Sequence, residues 1–180
     1  MAFFDLPSPD ELTTEARQVL DEYQRLQGRS AWTGVWHTYG RLPAVLSARL
    51  ALFKSAYLEL LDVPTETKCI AAMLIAHARR CQACFAGART ELKRLGFDEP
   101  TLDGFCANPD ALPLKERDRH FIRYTLRIAM SSADLTPKDY REMEAHGFSR
   151  IQIQEMIAFS AYWVLNTMFS QSATAGLADE

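Results

Sequence analysis

Two cysteines three residues apart, Cys81 and Cys84, are the residues of this sequence best suited to covalent chemistry. On a helix that spacing sets their Cα atoms about 5 to 6 Å apart, within disulfide range, so the pair can cycle between dithiol and disulfide with little backbone movement. Reactivity requires the thiolate. Arg79 and Arg80 directly precede Cys81, and no acidic residue stands between Cys69 and Thr90, surroundings that lower a thiol pKa. A new helix starting at Cys81, which the polar Arg79-Arg80 step permits, would add the favourable field of its N-terminus. A thiolate of this kind attacks a peroxide oxygen, and the product condenses with a neighbouring thiol.

Plainer readings of the same residues stay open. The pair can be two small buried hydrophobes, or metal ligands together with Cys69 and His77. Against a shared metal, Cys69 stands twelve residues before Cys81, about 18 Å along a continuous helix. Neither a metal nor a cofactor is expected. His77 stands one turn before Cys81, where an imidazole can share a proton with the thiol if the helix is continuous. A core histidine bonded to backbone is the alternative. His37, His120 and His146 are scattered, although His120 sits where it can approach from a second helical hairpin. Cys106, in a loop reading Phe105-Cys-Ala-Asn-Pro, has no partner signal.

The 180 residues carry 20 Lys+Arg and 23 Asp+Glu, a formal charge of −3. Phosphate binding needs a basic stripe, so nucleic acid is not an expected partner. Hydrophobic residues at 48% and charged residues at 24% are ordinary for one globular domain. The start, Met-Ala-Phe-Phe-Asp-Leu-Pro, has no basic region or long apolar core, and no secretory signal is expected. The longest apolar run, Ile70 to Ala76, is far short of the roughly 18 residues of a membrane span. A reducing cytoplasmic setting follows, where Cys-x-x-Cys is more often redox-active or metal-binding than a structural staple.

Helical periodicity accounts for the elements that must position the pair. Ser8-Pro9-Asp10-Glu11 reads as a capping box ahead of an amphipathic helix carrying Leu12, Ala16, Val19, Leu20, Tyr23 and Leu26, which Gly28 ends. Residues 29–42 hold Trp32, Trp36 and Tyr39 in a connector. With Phe53, these aromatics are either core and oligomer contacts or the lining of an apolar mouth. Pro43 opens a helix running to Leu61. Thr65 caps the next, whose stripe of Ile70, Met73, Leu74, His77, Ala78 and Cys81 repeats at three and four. The segment Glu91-Leu-Lys-Arg-Leu-Gly-Phe97 is echoed 51 residues later by Glu142-Met-Glu-Ala-His-Gly-Phe148. Upstream, Pro64-Thr-Glu-Thr-Lys68 is echoed 49 residues later by Pro113-Leu-Lys-Glu-Arg117. Each unit reads as helix, link, helix and Gly-Phe stop. A last helix from about Arg150 into the 160s is apolar all round, which implies burial in a core or a subunit interface. The expected fold is all-α: two similar helical hairpins behind an N-terminal helical extension.

The stretch after Pro64, TETKCIAAMLIAHARRCQACFAGARTELKRL, resembles the core of the alkylhydroperoxidase D and carboxymuconolactone decarboxylase superfamily. Residues 113–170, with KERDRHFIRYTLRIA, LTPKD and GFSRIQIQEMIAFSAYWVLN, are similar to the C-terminal half of its peroxidase-related branch. The likeness spans roughly residues 40–175. It implies a single domain over 1–180, with residues 1–40 as the extension and 41–176 as the core, assembled as a homo-oligomer. It also implies a thiol oxidoreductase that takes a small hydroperoxide or disulfide as substrate and electrons from a thiol donor, without a membrane partner. By position Cys84 would attack and Cys81 would resolve, with His77 the best local base. Peroxidase members carry a glutamate twelve residues before the first cysteine and a histidine four after the second; here these positions hold Cys69 and Ala88, and Ala83 stands where a histidine often precedes the second cysteine. The proton relay is therefore not carried over. A redox sensor or structural protein that has lost the relay, and a decarboxylase-like enzyme with incidental cysteines, are the alternatives.

Overall fold

A computed structural model describes residues 6–28, 35–59, 62–109 and 113–173. Trp32, Leu60 and Leu61 lie outside the described residues. Among the described residues there are nine α-helices and no strand: α1 Thr14–Gln27, α2 Val35–Thr38, α3 Pro43–Phe53, α4 Thr65–Ala78, α5 Gln82–Arg94, α6 Glu99–Ala107, α7 Glu116–Ser131, α8 Pro137–Ala145 and α9 Arg150–Ala173. The chain divides into two compact units, Met1–Leu58 with Phe169–Glu180, and Glu59–Met168. The division falls between Leu58 and Glu59, and the end of α9 groups with the N-terminal segment.

In the first unit the expected capping box forms, with the Ser8 amide donating to the Glu11 carboxylate at 2.6 Å. It closes only a short 3-10 turn, Pro9–Glu11. The long helix starts later, where Thr13 Oγ1 accepts from the Ala16 amide at 3.1 Å. Gly28, with φ +63, ends it. Helices α1 and α3 pack together, tied at their edges by Glu15 to Ser47 and Glu22 to Lys54. The aromatics are core here: Trp36 stacks on Tyr23 at 3.8 Å and meets Phe53 edge-on. Buried Arg49 lies over the Trp36 ring at 4.2 Å and the Phe169 ring at 5.2 Å. Past Phe53 the backbone widens into a π-helical turn, Lys54–Glu59.

The second unit is built around α4, which packs against α5, α6 and α7. Every residue from Thr67 to Ala76 is buried, so all-round burial replaces the single stripe that periodicity suggested. Pro64, not Thr65, occupies the N-cap position of α4, and no side chain caps it. The Gly-Phe echo is the same backbone motif twice. Gly96 (φ +96) and Gly147 (φ +84) take the left-handed conformation. The following amides reach back five residues, Phe97 to the Leu92 carbonyl at 3.1 Å and Phe148 to Met143 at 3.2 Å. This is the Schellman stop, with the apolar residue after the glycine folded over the helix end. Helix α6 was not anticipated and places Cys106 within a helix rather than a loop. Asp98, accepting from the Thr101 amide at 2.9 Å, and Pro100 in the first turn are its start signals.

A polar cluster joins α7 to the end of α8. The His120 and His146 rings stack with centroids 3.7 Å apart. Arg123 donates to His120 Nδ1 at 2.7 Å, and Tyr124 Oη lies 2.6 Å from His146 Nδ1 and 3.1 Å from Glu142 Oε1. Desolvation first, then the charges of His146 and Arg123, push the His120 pKa below its ordinary value, with Glu116 pulling the other way. The unfolded chain therefore binds more protons near pH 6, and stability falls as pH drops through the ordinary histidine value of about 6.5. Urea unfolding at pH 7.5 and pH 5.5 should show this loss in the wild type and a smaller one in His120→Gln. Equal losses in both proteins would contradict the assignment.

Candidate active site

The two cysteines sit at a break between α4 and α5 that a single residue creates. Arg80 has φ +57, the one non-glycine residue with positive φ among the described residues. The Arg80 amide donates to the His77 carbonyl at 2.9 Å, and the Cys81 amide reaches back to Ala76 at 2.9 Å. This is the Schellman stop a third time, with Arg80 where Gly96 and Gly147 stand in the others. Cys81 takes the place of Phe97 and Phe148, and its contact with Ala76 is the apolar closure of the motif.

The same residue begins the next helix. Cys81 is the N-cap of α5, its carbonyl accepting from the Phe85 amide at 2.9 Å. Cys84 is the third residue of α5, within the first turn, where unsatisfied amides and the helix dipole favour an anion. Neither cysteine is in a disulfide, and both are buried, Cys81 at 1% and Cys84 at 8% exposure. They share a cluster with Ala76, against which Phe85 and Trp163 pack.

Helix α9 covers this cluster with polar groups as well as Trp163. The Cys84 thiol faces the Asn166 carbonyl at 3.9 Å, and the Asn166 side-chain amide donates toward Sγ from 3.7 Å. One residue on, Thr167 Oγ1 accepts from Arg79 Nε at 2.6 Å and donates to the Val164 carbonyl at 2.8 Å. Arg79 therefore ties the break to α9, while Arg80 is exposed. Asn166 carried no motif in the sequence. The only signal was an amide ending an otherwise apolar run, Tyr162 to Leu165.

Continuity of the helix was the condition for placing His77 and Cys81 on one face, and the stop at Arg80 removes it. His77 is exposed at the end of α4, its ring 5.3 Å from Phe85. Among the described residues it makes no hydrogen bond to either thiol. Cys69 and Ala88 are both buried. His120 is engaged with His146, Arg123 and Glu116. Cys106 is half-buried in α6, its thiol pKa pushed up by desolvation, with Arg89 opposing. Lys68, next to Cys69 and buried, has its ammonium pKa pushed down by desolvation, with Glu155 pulling it back up. Among the described residues no three His, Cys, Asp or Glu side chains gather as they would around a metal ion.

A left-handed conformation costs a non-glycine residue about 1 to 2 kcal/mol, and a β-branched side chain tolerates it worst. Arg80→Val should therefore lower the unfolding free energy by about 1 to 2 kcal/mol relative to Arg80→Gly. Urea denaturation of both variants checks this, and equal stabilities would show that backbone conformation is not what Arg80 contributes.

No protein-family model and no curated protein matches this sequence. Solved structures do. The chain is similar to an alkylhydroperoxidase AhpD core protein, an uncharacterized peroxidase-related protein from Ralstonia eutropha JMP134, with a TM-score of 0.80 and 18% identity over 95% of this chain and 89% of that one. It is equally similar to an uncharacterized peroxidase-related protein from Silicibacter sp. TM1040, with a TM-score of 0.80 and 18% identity over 96% of this chain and 90% of that one. The all-α architecture that the helical echo and the Cys-x-x-Cys context implied is thus the fold of the alkylhydroperoxidase-D-like, peroxidase-related proteins.

Proposed function

We propose that the protein is a thiol-dependent oxidoreductase that reduces small hydroperoxides or disulfides through Cys84 and Cys81. The observation that carries this reading is the placement of two unbridged cysteines at the start of one helix, Cys81 at its N-cap and Cys84 three residues on. In that position the attacking sulfur belongs to the first turn of a helix, follows Arg79 and Arg80 closely in sequence and has a second thiol three residues before it.

With a hydroperoxide, the Cys84 thiolate attacks the terminal oxygen. The S–O bond forms as the O–O bond breaks, and the departing alkoxide takes a proton from water to leave as an alcohol. Cys81 then attacks the Cys84 sulfenic acid, the S–S bond forms, and the hydroxyl departs with the Cys81 proton as water. A dithiol donor supplies two electrons and two protons to restore both thiols. The apolar surroundings, Ala76, Phe85 and Trp163, favour an organic substrate over a strongly hydrated one. A reducing cytoplasmic setting would keep the pair in its dithiol form.

A redox-sensing reading is favoured by one specific observation. Cys69 and Ala88, at the positions where relatives carry the relay glutamate and histidine, are buried and offer no carboxylate or imidazole. Without a dedicated base the pair can close once per oxidation event rather than turn over rapidly. We further propose assembly of the chain with copies of itself through the side of α9 that leaves Ile151, Ile157, Ala161 and Met168 exposed.

Peroxide consumption with a dithiol reductant separates these readings. The wild type should turn over, Cys84→Ser should fall to the uncatalysed background, and Cys81→Ser should stop after one equivalent. Disulfide closure without turnover would select the sensor, and unchanged turnover in Cys84→Ser would overturn the thiol mechanism.

A further inference from the structure

We propose that Asn166 is the hydrogen-bond donor that stabilises the Cys84 thiolate, so that α9 supplies a neutral partner to the reacting sulfur. The inference deepens the thiol reading above and rests on Cys84 being the attacking sulfur. Its basis is the pairing of two contacts from one residue. The Asn166 main-chain carbonyl lies 3.9 Å from Cys84 Sγ and can accept the S–H of the protonated form. The side-chain Nδ2 lies 3.7 Å from the same sulfur and can donate to the deprotonated form. Deprotonation then requires no rearrangement, because an acceptor for the thiol and a donor for the thiolate are already in place.

The position of Asn166 is enforced by its neighbour. Thr167, whose hydroxyl accepts from Arg79 Nε at 2.6 Å, is buried and is tied to the same break that ends α4. The amide is therefore delivered to the sulfur by the contact that also holds the arginine. Trp163, one turn earlier on α9, packs against the cysteine cluster and limits water beside the sulfur.

The groups around Cys84 make the amide's contribution readable. From the end of α4 come Arg79, Arg80 and the exposed His77; from α5 come Cys81 and no carboxylate before Glu91; from α9 come Trp163, Asn166 and Thr167, none of them charged. Asn166→Asp replaces the donor by a carboxylate of the same shape and places a negative charge against the thiolate. Asn166→Leu removes the donor and keeps the bulk.

Site-resolved alkylation by iodoacetamide, followed by mass spectrometry across pH 5 to 10 on the full chain, reads Cys84 and Cys106 in one experiment. At pH 7, Cys84 in Asn166→Asp should react about tenfold more slowly than in the wild type, the change produced when the thiolate fraction shifts by one unit of pH. Asn166→Leu should lie between the two, and Cys106 should react alike in all three. Urea midpoints report folding; should the Asp variant fail to fold, the Leu variant decides, a slowed Cys84 supporting the inference. Cys84 profiles in folded variants that match the wild type would overturn it. Because alkylation needs no peroxide turnover, a shifted profile in a protein without turnover would sink the enzymatic reading and leave the role of Asn166 standing. Turnover with an unshifted profile would do the reverse.

Discussion

The left-handed turn at Arg80 is the constraint on which the site depends. One residue with φ +57 ends α4, sends its successor's amide back to Ala76, and sets that successor as the N-cap of α5. Had α4 run on, Cys84 would have lain mid-helix, its amide bonded to the turn before it, with no unsatisfied donors facing an anion. Because it stops, Cys84 sits in a first turn, while Cys81 closes one helix and opens the next. The conformation costs about 1 to 2 kcal/mol for an arginine. The two backbone hydrogen bonds of the stop and the burial of Cys81 against Ala76 offset it.

The same stop occurs three times, and its chemistry changes with the residues that occupy it. At Gly96 and Gly147 a glycine takes the left-handed position without strain, and a phenylalanine folds over the helix end. At Arg80 a charged residue holds the strained position and a thiol takes the folded-over one. The two hairpins therefore share a frame and differ in what they hold. The second hairpin joins its helices with Tyr124, His120, His146 and Glu142, a hydrogen-bonded polar cluster without a nucleophile. Strain at a non-glycine residue directly beside a pair of thiols is the pattern expected where function rather than stability selects the backbone.

Helix α9 contributes polar as well as apolar groups to the cysteine cluster. Asn166 lies against Cys84, and Thr167, the next residue of α9, holds the Arg79 guanidinium. An amide of this kind can stabilise a thiolate. Cys84 itself is 8% exposed, so the same packing that brings the amide to the sulfur also limits its contact with solvent.

Much of the frame was legible from residue order. The paired Gly-Phe segments announce two helix stops because glycine's missing Cβ leaves a visible mark wherever φ is positive, and the long apolar periodicities announce an all-α chain. The spacing of Cys81 and Cys84 likewise anticipated two thiols one turn apart. Other features carried no such mark. Arg80 is left-handed without being glycine, so the stop that places both thiols in a first turn, and that moves His77 to the surface, could not be read from its letter. The capping box at Ser8 is real but closes a short turn, because a local signal starts whatever the chain beyond it can continue, and Leu12 is drawn into the core instead. Asn166 lies 82 residues from Cys84. Helix periods describe neighbours three and four residues apart, whereas the packing of α9 on α5 is decided by which faces have area to bury. The sequence by itself determined the helices and the spacing of the two cysteines. Tertiary packing alone decided which amide lies against the sulfur and how deeply its residue is buried, because those are set by contacts between segments distant along the chain.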